Sequence, residues 1–445
     1  MMGNRQNTQV AVAIVGGGLS GMSAAWELQQ AGIDSLVVLE ANDRVGGRTF
    51  NQFHPKVGYL EMGGTWVGRT QTAVLDLARQ LGVATKKGKV DGATIYGYQG
   101  IWTTHAENPG ESATLAQKDF AQVMAKFEQL SQTVLLDAPW QTPNAASLDS
   151  ISAGEWIDRN TETIEARAWM AGSIRQGIAG DPHQVSMLFV LYFMANAGFF
   201  DLRETAEDYR LVGGSHSLTL KIAEHLGDRV WLNTRVREIS HGDRIHLVTD
   251  KGVIQADYAI VAMMPKDAGK IHFAPPLPAI HQQLISGWQQ MSWIKFFCLY
   301  PRPLWWGKAA SGHYYSMDTE AEVFDVSPAD GSYGLLIGFF EPKYSHLSEV
   351  ERRKFAIQTV TDMFGTEAAT PEEYFEIDYT QQAWTSGCVA ALPPGLLTQA
   401  GTALNEPVSK IYWAGTERST RWINYMDGAV RSGQHAARQI LARML

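Results

Sequence analysis

Residues 10–40 constrain the fold of this chain more than any other stretch. They read VAVAIVGGGLSGMSAAWELQQAGIDSLVVLE: an apolar run, a glycine cluster, an amphipathic segment and a second apolar run that ends at Glu40. This order predicts a strand, a turn, a helix and a second strand. Gly16, Gly18 and Gly21 have the G-x-G-x-x-G spacing of a dinucleotide-binding unit, in which the terminal acid accepts hydrogen bonds from a ribose.

The first helix is predicted to begin near Leu19, directly after the glycine turn. Free N–H groups and the positive end of the helix dipole favour an anion at such a position. A diphosphate is therefore expected over the turn, with Ser20 among its contacts, and no lysine is needed. The motif leaves open which dinucleotide binds.

Composition narrows the class of protein. The chain has 445 residues, 45% hydrophobic and 19% charged, so two domains are expected. A net charge of −9 and the absence of a long Lys/Arg run argue against a nucleic-acid partner. The two cysteines, Cys298 and Cys388, exclude a disulfide framework. Residues 187–200 form the longest apolar run, which is too short for a bilayer, so we expect a cytoplasmic protein without a membrane anchor.

The remaining patterns divide the chain. Helices are predicted over 112–136, 150–178 and 185–197, with an exposed linker at 137–147, and residues 304–330 are expected to be loop-like. A strand meander over 228–263 returns to the nucleotide domain. We predict a discontinuous nucleotide-binding domain (1–85, 210–290 and 385–445) and a substrate domain (86–209 and 291–384).

Two further glycine pairs carry a family resemblance. RVGGRTF at 44–50 and YLEMGGTWVG at 59–68 follow the first motif, and together the three segments resemble the flavin-containing amine oxidases. The resemblance implies an α/β fold: an FAD-binding Rossmann-type domain of the glutathione-reductase-like kind, plus an α+β substrate domain with a mixed sheet and helices. It also implies that the cofactor is FAD, contacted by Arg44, Arg48, Gly63, Gly64, Thr65 and the Val236 backbone.

A lysine interrupts the apolar segment MSWIKFFCLY at 291–300. Burial penalises an ammonium, so Lys295 either faces solvent on an edge strand or has a function. Its position resembles that of the family lysine that holds a water at flavin N5. The resemblance therefore makes Lys295 a candidate for the N5 proton or oxygen step.

The second strong motif lies near the end of the sequence. IYWAGTERSTRWINYMDGAVRSG at 411–433 predicts a strand, a glycine turn and a helix that begins near Asp427. Its N–H groups are suited to the ribityl chain, diphosphate or pyrimidine carbonyl of a flavin. The resemblance assigns cofactor contacts to Gly415, Glu417, Met426 and Ala429.

Residues 384–425 carry the most specific chemistry. Cys388, in SGC before PPG, resembles the cysteine that attaches FAD through a thioether in monoamine oxidases, although the spacing to the prolines is one residue shorter. Tyr425 matches one aromatic wall of the family's amine site, and Val389 stands where the second is expected. Trp384 is a candidate substitute. The resemblance further implies substrate contacts from Gln176, Phe199 and Phe339, with Phe324 nearby.

These features predict an enzyme that oxidises a hydrophobic or aromatic primary amine to aldehyde and ammonia, with oxygen reduced to hydrogen peroxide. Glu207, Asp208 or Arg421 pointing inward would instead favour a polyamine or an amino acid. A non-catalytic flavoprotein is the alternative from another class, and retention of Lys295 and Tyr425 argues against it. No metal site is predicted. A homodimer is compatible with the sequence, which does not fix the oligomeric state.

Overall fold

The computed structural model describes residues 8–88, 95–98, 101–104, 114–198, 206–306, 312–316 and 320–444. The opening motif folds as predicted, with a strand at Thr8–Val15, a helix at Leu19–Gln30 and a strand at Leu36–Leu39. Both faces of the first strand are covered, since Val12 and Ile14 pack into one apolar cluster and Ala13 and Val15 into another. Such two-sided burial is typical of parallel strands in α/β folds.

The first sheet is built around this motif. Thr8–Val15 pairs in parallel with Leu36–Leu39 and with Gly252–Ala262, and the latter pairs in parallel with Ile411–Ala414. The C-terminal strand therefore lies near the glycine turn although it is some 400 residues away in sequence. The remaining strands of this sheet are Val230–Trp231, Val236–His241, Ile245–Thr249 and His272–Ala274.

Helices pack on the first sheet. The C-terminal helix Met426–Met444 lies against Leu19–Gln30, and the approach is close because Gly433 has no side chain: a Cβ there would be 2.0 Å from the Ser20 carbonyl oxygen. This contact brings the two predicted anion-binding helix starts into one region. The other helices beside this sheet are Thr72–Gln80, His216–Leu226, Pro265–Ala268 and Ala279–Gly287.

The second sheet contains Lys295. Its strand, Ile294–Tyr300, lies between Glu373–Asp378 and Gly334–Phe340, so it is a central strand and the lysine does not face solvent at an edge. The other strands in this sheet are His313–Ser316, Ala321–Asp325, Ile95–Tyr98 and Ile101–Thr104, with the helix Glu349–Phe364 packed on it. The prediction that 304–330 is loop-like was wrong for the two strands it contains. Both strands are short, and they form because they pair with neighbouring strands of the sheet.

The helical block comprises Leu115–Ser131, Ala145–Asp149, Ala153–Asn160, Ile164–Ile178 and Met187–Ala197. The single helix expected over 150–178 is broken because buried Asp119 accepts hydrogen bonds from the Glu162 and Thr163 N–H groups, which fixes a turn there. The linker at 137–147 is not fully exposed either, since Pro139, Thr142 and Ala145 are buried.

Short elements complete the described structure. Small strand pairs or triplets are formed by Asn51–His54 with Gly58–Glu61, by Trp66–Val67 and Thr85–Lys87 with Tyr209–Leu211, and by Gln290–Met291 with Val389–Ala390. A short helix, Leu396–Ala400, follows the last of these. Within the described ranges, no helix combines the length and apolarity that crossing a bilayer requires.

Candidate active site

A cavity of about 400 Å³ collects most of the predicted residues. Its wall contains the glycine turn, parts of both sheets and the start of the C-terminal helix. Of the predicted cofactor contacts, Gly21, Arg44 and Glu417 do not line it, and the predicted substrate contact Phe199 lies outside the described residues. The predicted residues in the wall are Gly16, Gly18, Ser20, Glu40, Arg48, Gly63, Gly64, Thr65, Gln176, Val236, Lys295, Phe339, Trp384, Cys388, Val389, Gly415, Tyr425, Met426 and Ala429.

The three glycines of the turn are each needed for a different reason. Gly16 has a φ of +104°, and a Cβ there would be 2.6 Å from the Ala262 carbonyl oxygen. A Cβ at Gly21 would be 2.0 Å from the Gly16 carbonyl oxygen, so this glycine serves helix packing. A Cβ at Gly18 would meet no protein atom within 4 Å, and Gly18 lines the cavity. The backbone at Gly18 is therefore open to a ligand, as the motif predicts.

Glu40 lies at the end of the second strand, in the cavity wall. Its carboxylate accepts hydrogen bonds from the Gly17 N–H at 2.7 Å and the Asn42 N–H at 2.8 Å. Burial raises the pKa of Glu40, while these donors and Arg44 oppose the rise. The local backbone thus holds the acid in place at the wall.

Arg48 joins two distant segments. Its guanidinium pairs with Glu417 and donates a hydrogen bond of 2.7 Å to the Cys388 carbonyl oxygen. Glu417 is buried, and its Oε2 has no hydrogen-bond partner among the described residues. Arg44, by contrast, lies 4.0 Å from the centroid of the Phe50 ring and outside the cavity wall. Glu417 therefore acts on the site through Arg48.

Lys295 is 4% exposed and donates hydrogen bonds to the Glu61 and Gly63 carbonyl oxygens and to Thr65 Oγ1, the last two at 2.8 and 2.7 Å. Burial lowers the pKa of its ammonium to about 7, although the nearby Glu61 carboxylate opposes the change. The lysine thus fixes the 61–65 segment and presents a titratable amine at the cavity wall.

Behind this lysine lies an ion pair that the sequence did not reveal. The buried Glu61 carboxylate accepts hydrogen bonds from Arg210 at 2.6 and 3.0 Å and from the Ser215 N–H at 3.1 Å. Satisfied hydrogen bonds are what make such a buried pair tolerable. The two residues are 149 positions apart in the sequence, so only the tertiary structure shows their pairing.

Tyr425 lies within an aromatic group. Its ring is stacked with Phe193 at 6.2 Å between centroids and 11° between planes, and Trp422 meets it edge-on at 5.2 Å. Gly177 leaves room for the Phe193 ring, since a Cβ at Gly177 would be 2.7 Å from that ring. Burial first, and the Glu207 carboxylate second, raise the pKa of the Tyr425 phenol, which stays neutral at ordinary pH.

Trp384 packs against an arginine and not against Tyr425, which it was predicted to face. The guanidinium carbon of Arg235 lies 4.7 Å from the Trp384 ring centroid, and Arg235 directly precedes Val236. The aromatic partners of Tyr425 are Phe193 and Trp422 instead. This placement gives no support to Trp384 as the second aromatic wall of an amine site, because its ring contacts the Arg235 guanidinium.

Other aromatics extend the wall near Lys295. Trp66 lies 4.8 Å from Phe324 and 6.3 Å from Phe339 between ring centroids, and Trp66 and Phe339 line the cavity. Neither Trp66 nor Phe193 was predicted as a site residue. Trp66 could have been predicted from the sequence, since it belongs to the quoted EMGGTWVG motif. Phe193 could not, because it lies in a uniformly apolar helix in which no residue stands out.

Cys388 faces the cavity beside Ser292, whose hydroxyl donates a hydrogen bond of 3.4 Å to its sulfur. Burial raises the pKa of the thiol, while Ser292, Arg48 and Lys295 oppose the rise. The adjacent backbone is fixed by Asn424, which exchanges hydrogen bonds of 2.9 and 3.1 Å with Ala390. Cys388 and Tyr425 thus belong to two segments joined side by side.

Comparison with known proteins decides the family. The model of the flavin-containing amine oxidoreductases matches residues 19–441. The chain belongs to this family. A Mycobacterium tuberculosis protein assigned the name flavin-containing monoamine oxidase AofH is 36% identical over 97% of both chains. Amine oxidase [flavin-containing] A of Sus scrofa is 33% identical over 98% of this chain and 86% of its own.

Solved structures agree with this membership. Cyclohexylamine oxidase from Brevibacterium oxydans IH-35A has a TM-score of 0.93 and 30% identity, covering 98% of this chain and 99% of its own. A wild-type putrescine oxidase bound to putrescine has a TM-score of 0.91 and 30% identity, covering 98% and 100%. The predicted amine oxidase fold is confirmed, and the chain is a flavin-dependent enzyme of amine oxidation.

The cavity fits the flavin that an amine oxidase requires. Gly18 leaves the backbone open on one side, and Gly64 lines the cavity beside the Met426 side chain, from which a Cβ at Gly64 would be 3.3 Å. Tyr379 adds a buried hydroxyl in the wall that has no partner among the described residues. Backbone N–H groups, an open turn and unpaired polar atoms are the features that a large polar cofactor uses.

Proposed function

We propose that the enzyme deaminates a hydrophobic or aromatic primary amine to the aldehyde and ammonia, with oxygen reduced to hydrogen peroxide. The observation that carries this proposal is the continuity of the cavity, whose wall runs from the glycine turn to Lys295 and to the Tyr425–Phe193 stack. FAD supplies the two-electron oxidation when it is bound. The residues of the chain orient the amine and exclude water.

Tyr425 is proposed to orient the amine. Its neutral ring presents a negative π face, which favours the amine's approach and directs the lone pair. The aromatic residues Phe193, Trp66 and Phe339 of the cavity wall disfavour the charged ammonium form of the substrate, because burial penalises charge. The substrate nitrogen is thus held neutral, as loss of hydride from the neighbouring carbon requires. Gln176 and Val389 complete the proposed substrate wall.

Lys295 is proposed to hold a water and move a proton at the cavity wall beside Gly63. Its amine is anchored to the 61–65 backbone, and its pKa of about 7 allows both proton states near neutral pH. Phe199, the other predicted substrate contact, stays a prediction because it lies outside the described residues.

FAD is proposed to lie along the predicted contacts, with its adenylate near Glu40 and Val236 and its ring near Gly63, Gly64 and Cys388. A thioether to Cys388 is supported by a sulfur that faces the cavity, next to the Ser292 hydroxyl. Acid precipitation tests this bond. Flavin should stay with the wild-type protein and leave the Cys388→Ser variant, and flavin that already leaves the wild type with acid contradicts the thioether.

The domain division is also proposed. It is supported by the first sheet, whose strands come from residues 8–39, 230–274 and 411–414, whereas Lys295 belongs to the second sheet. Cytoplasmic location and a homodimer remain predictions, which cell fractionation and light scattering can test.

An anaerobic flavin-bleaching screen tests the substrate class. Phenethylamine should bleach the flavin, and readmitted oxygen should restore its colour with one hydrogen peroxide for each aldehyde. An L-amino acid should be inactive, since Arg421 is exposed, hydrogen-bonded to the Thr420 carbonyl oxygen and absent from the cavity wall. Bleaching by the amino acid alone would contradict the proposal.

A diamine is the second candidate, because Glu207 lines the cavity near Tyr425. A carboxylate there is suited to the distal ammonium of putrescine. Glu207→Gln should then lower kcat/KM for putrescine about tenfold or more, since a charged hydrogen bond is lost, and leave phenethylamine unaffected. Asp208→Asn is the matched control, because Asp208 pairs with Arg69 outside the cavity.

A further inference from the structure

Tyr379 is a buried residue of the cavity wall to which neither the sequence nor the proposed mechanism gave a role. It directly follows the strand Glu373–Asp378, which pairs with the strand of Lys295. The turn is fixed because the Asp378 carboxylate accepts hydrogen bonds from the Thr380 N–H and hydroxyl at 2.8 and 2.6 Å. Tyr379 is 2% exposed, so its ring has little freedom to move.

The Tyr379 hydroxyl has no hydrogen-bond partner within the part of the chain that the structure describes. Buried phenols normally find one. Two other buried tyrosines do so here: Tyr300 donates to the Ala368 carbonyl oxygen at 2.8 Å and Tyr192 to the Ser419 carbonyl oxygen at 3.0 Å. An unsatisfied buried hydroxyl is costly, and Tyr379 is a residue of the cavity wall, so a ligand in the cavity is the candidate partner.

The surroundings of the hydroxyl locate that partner. A Cβ built on Gly63 would be 2.9 Å from the Tyr379 oxygen, so the hydroxyl borders the glycine whose carbonyl binds Lys295. The ring packs in the same cluster as Met62 and Cys388. Burial raises the pKa of the phenol, so the hydroxyl stays protonated and can donate a hydrogen bond.

We propose that the Tyr379 hydroxyl donates a hydrogen bond to the bound flavin, at the part of the ring that Gly63 and Cys388 border. This inference rests on the proposed position of FAD. A hydrogen-bond donor stabilises the electron-rich reduced flavin more than the oxidised form, so Tyr379 contributes to cofactor affinity and also raises the reduction potential. It is a contact of the cofactor and not of the amine.

The test compares Tyr379→Phe with Tyr300→Phe, each in the Cys388→Ser background so that FAD can be removed and rebound. Without FAD, Tyr379→Phe should unfold at the same temperature as its parent or higher, because the lost hydroxyl has no hydrogen-bond partner in the described part of the chain. Tyr300→Phe should lower that temperature, because it loses a hydrogen bond. With FAD, only Tyr379→Phe should weaken binding, about two- to tenfold.

A second measurement uses the wild-type Cys388 and needs no cofactor removal. Tyr379→Phe should lower the midpoint potential by up to about 30 mV, which is a tenfold change for a two-electron couple, and should shift the flavin absorption bands. Tyr300→Phe should change neither. Unchanged potential, spectrum and FAD affinity in Tyr379→Phe would overturn the inference.

The failure of this inference is distinguishable from failure of the proposed function. If phenethylamine does not bleach the wild-type flavin, the proposed substrate class is wrong, whatever the potential of the variant. If bleaching is normal and Tyr379→Phe changes only the KM for the amine, the hydroxyl contacts the substrate and the assignment to the flavin is wrong.

Discussion

The two ends of the cavity are built in opposite ways. The glycine end, defined by Gly16, Gly18 and Glu40, is made of backbone from one continuous stretch, with its acid held by N–H groups two and twenty-three residues away. The aromatic end, defined by Lys295 and Tyr425 with their neighbours, is made of side chains from distant segments. Dinucleotide binding is therefore encoded locally, whereas amine chemistry depends on how the two sheets and the helical block pack.

The electrostatics of the two ends differ as well. At the glycine end the donors are backbone N–H groups, which carry no net charge and do not titrate. At the aromatic end a buried ammonium is fixed by backbone carbonyls and its pKa falls to about 7. Variants at the glycine end should thus impair folding or FAD retention, and variants at the aromatic end should impair chemistry in an enzyme that keeps its flavin.

The largest effect is expected at the glycine end. Gly21→Ala should cost about 3 kcal/mol of unfolding free energy, because the new Cβ lies 2.0 Å from the Gly16 carbonyl oxygen. Chemical denaturation of the FAD-free Cys388→Ser variant measures it. Gly18→Ala is the matched control: it should leave that stability unchanged and weaken FAD binding roughly tenfold, or about 1.4 kcal/mol. Equal destabilisation by both would contradict the division of roles.

Lys295→Met should reduce the rate of a flavin half-reaction by roughly a hundredfold, the range of a lost proton-transfer group. FAD should still be retained, because the glycine turn and Glu40 do not depend on this lysine, whose hydrogen bonds go to the 61–65 segment proposed to border only the flavin ring. Stopped-flow reduction by phenethylamine and reoxidation by oxygen identify the affected step. The exposed Lys354→Met serves as control. A Lys295→Met enzyme that loses FAD on purification, and whose half-reactions run at the wild-type rate once FAD is resupplied, would reverse the comparison.

A smaller effect is expected for Trp384. Trp384→Leu and Arg235→Met should each speed FAD release about threefold in the Cys388→Ser background, since each removes the same cation–π contact, and the double variant should add little. Flavin fluorescence follows the release. If instead kcat/KM for phenethylamine falls tenfold and release is unchanged, Trp384 does serve as the aromatic wall of the amine site.

The smallest effect is expected for Tyr425→Phe, which should change kcat/KM less than about threefold because the ring face is retained. Burial raises the pKa of the Tyr425 phenol, so the hydroxyl stays protonated between pH 6 and 10 and contributes no ionisation there. The pH profiles of wild type and variant should therefore coincide. An alkaline limb present only in the wild type would show that the phenol ionises.

Sequence patterns were strongest where the signal is local. The strand, helix and strand of residues 8–39 and the strand of Lys295 were predicted close to their observed bounds. The break at Thr161–Thr163 was missed because it depends on the Asp119 carboxylate, more than forty residues away. The two strands within 304–330 were missed because their stability comes from neighbouring strands and not from their own composition.

The sequence alone determined the dinucleotide motif, the family resemblance and many of the residues around the cavity, because glycine spacing and short motifs report local backbone needs. Only the tertiary structure decided that Phe193 stacks on Tyr425, that Trp384 lies on Arg235, and that the Tyr379 hydroxyl has no partner among the described residues. Such contacts depend on packing between segments hundreds of residues apart, and no pattern along the chain encodes the distance between two side chains.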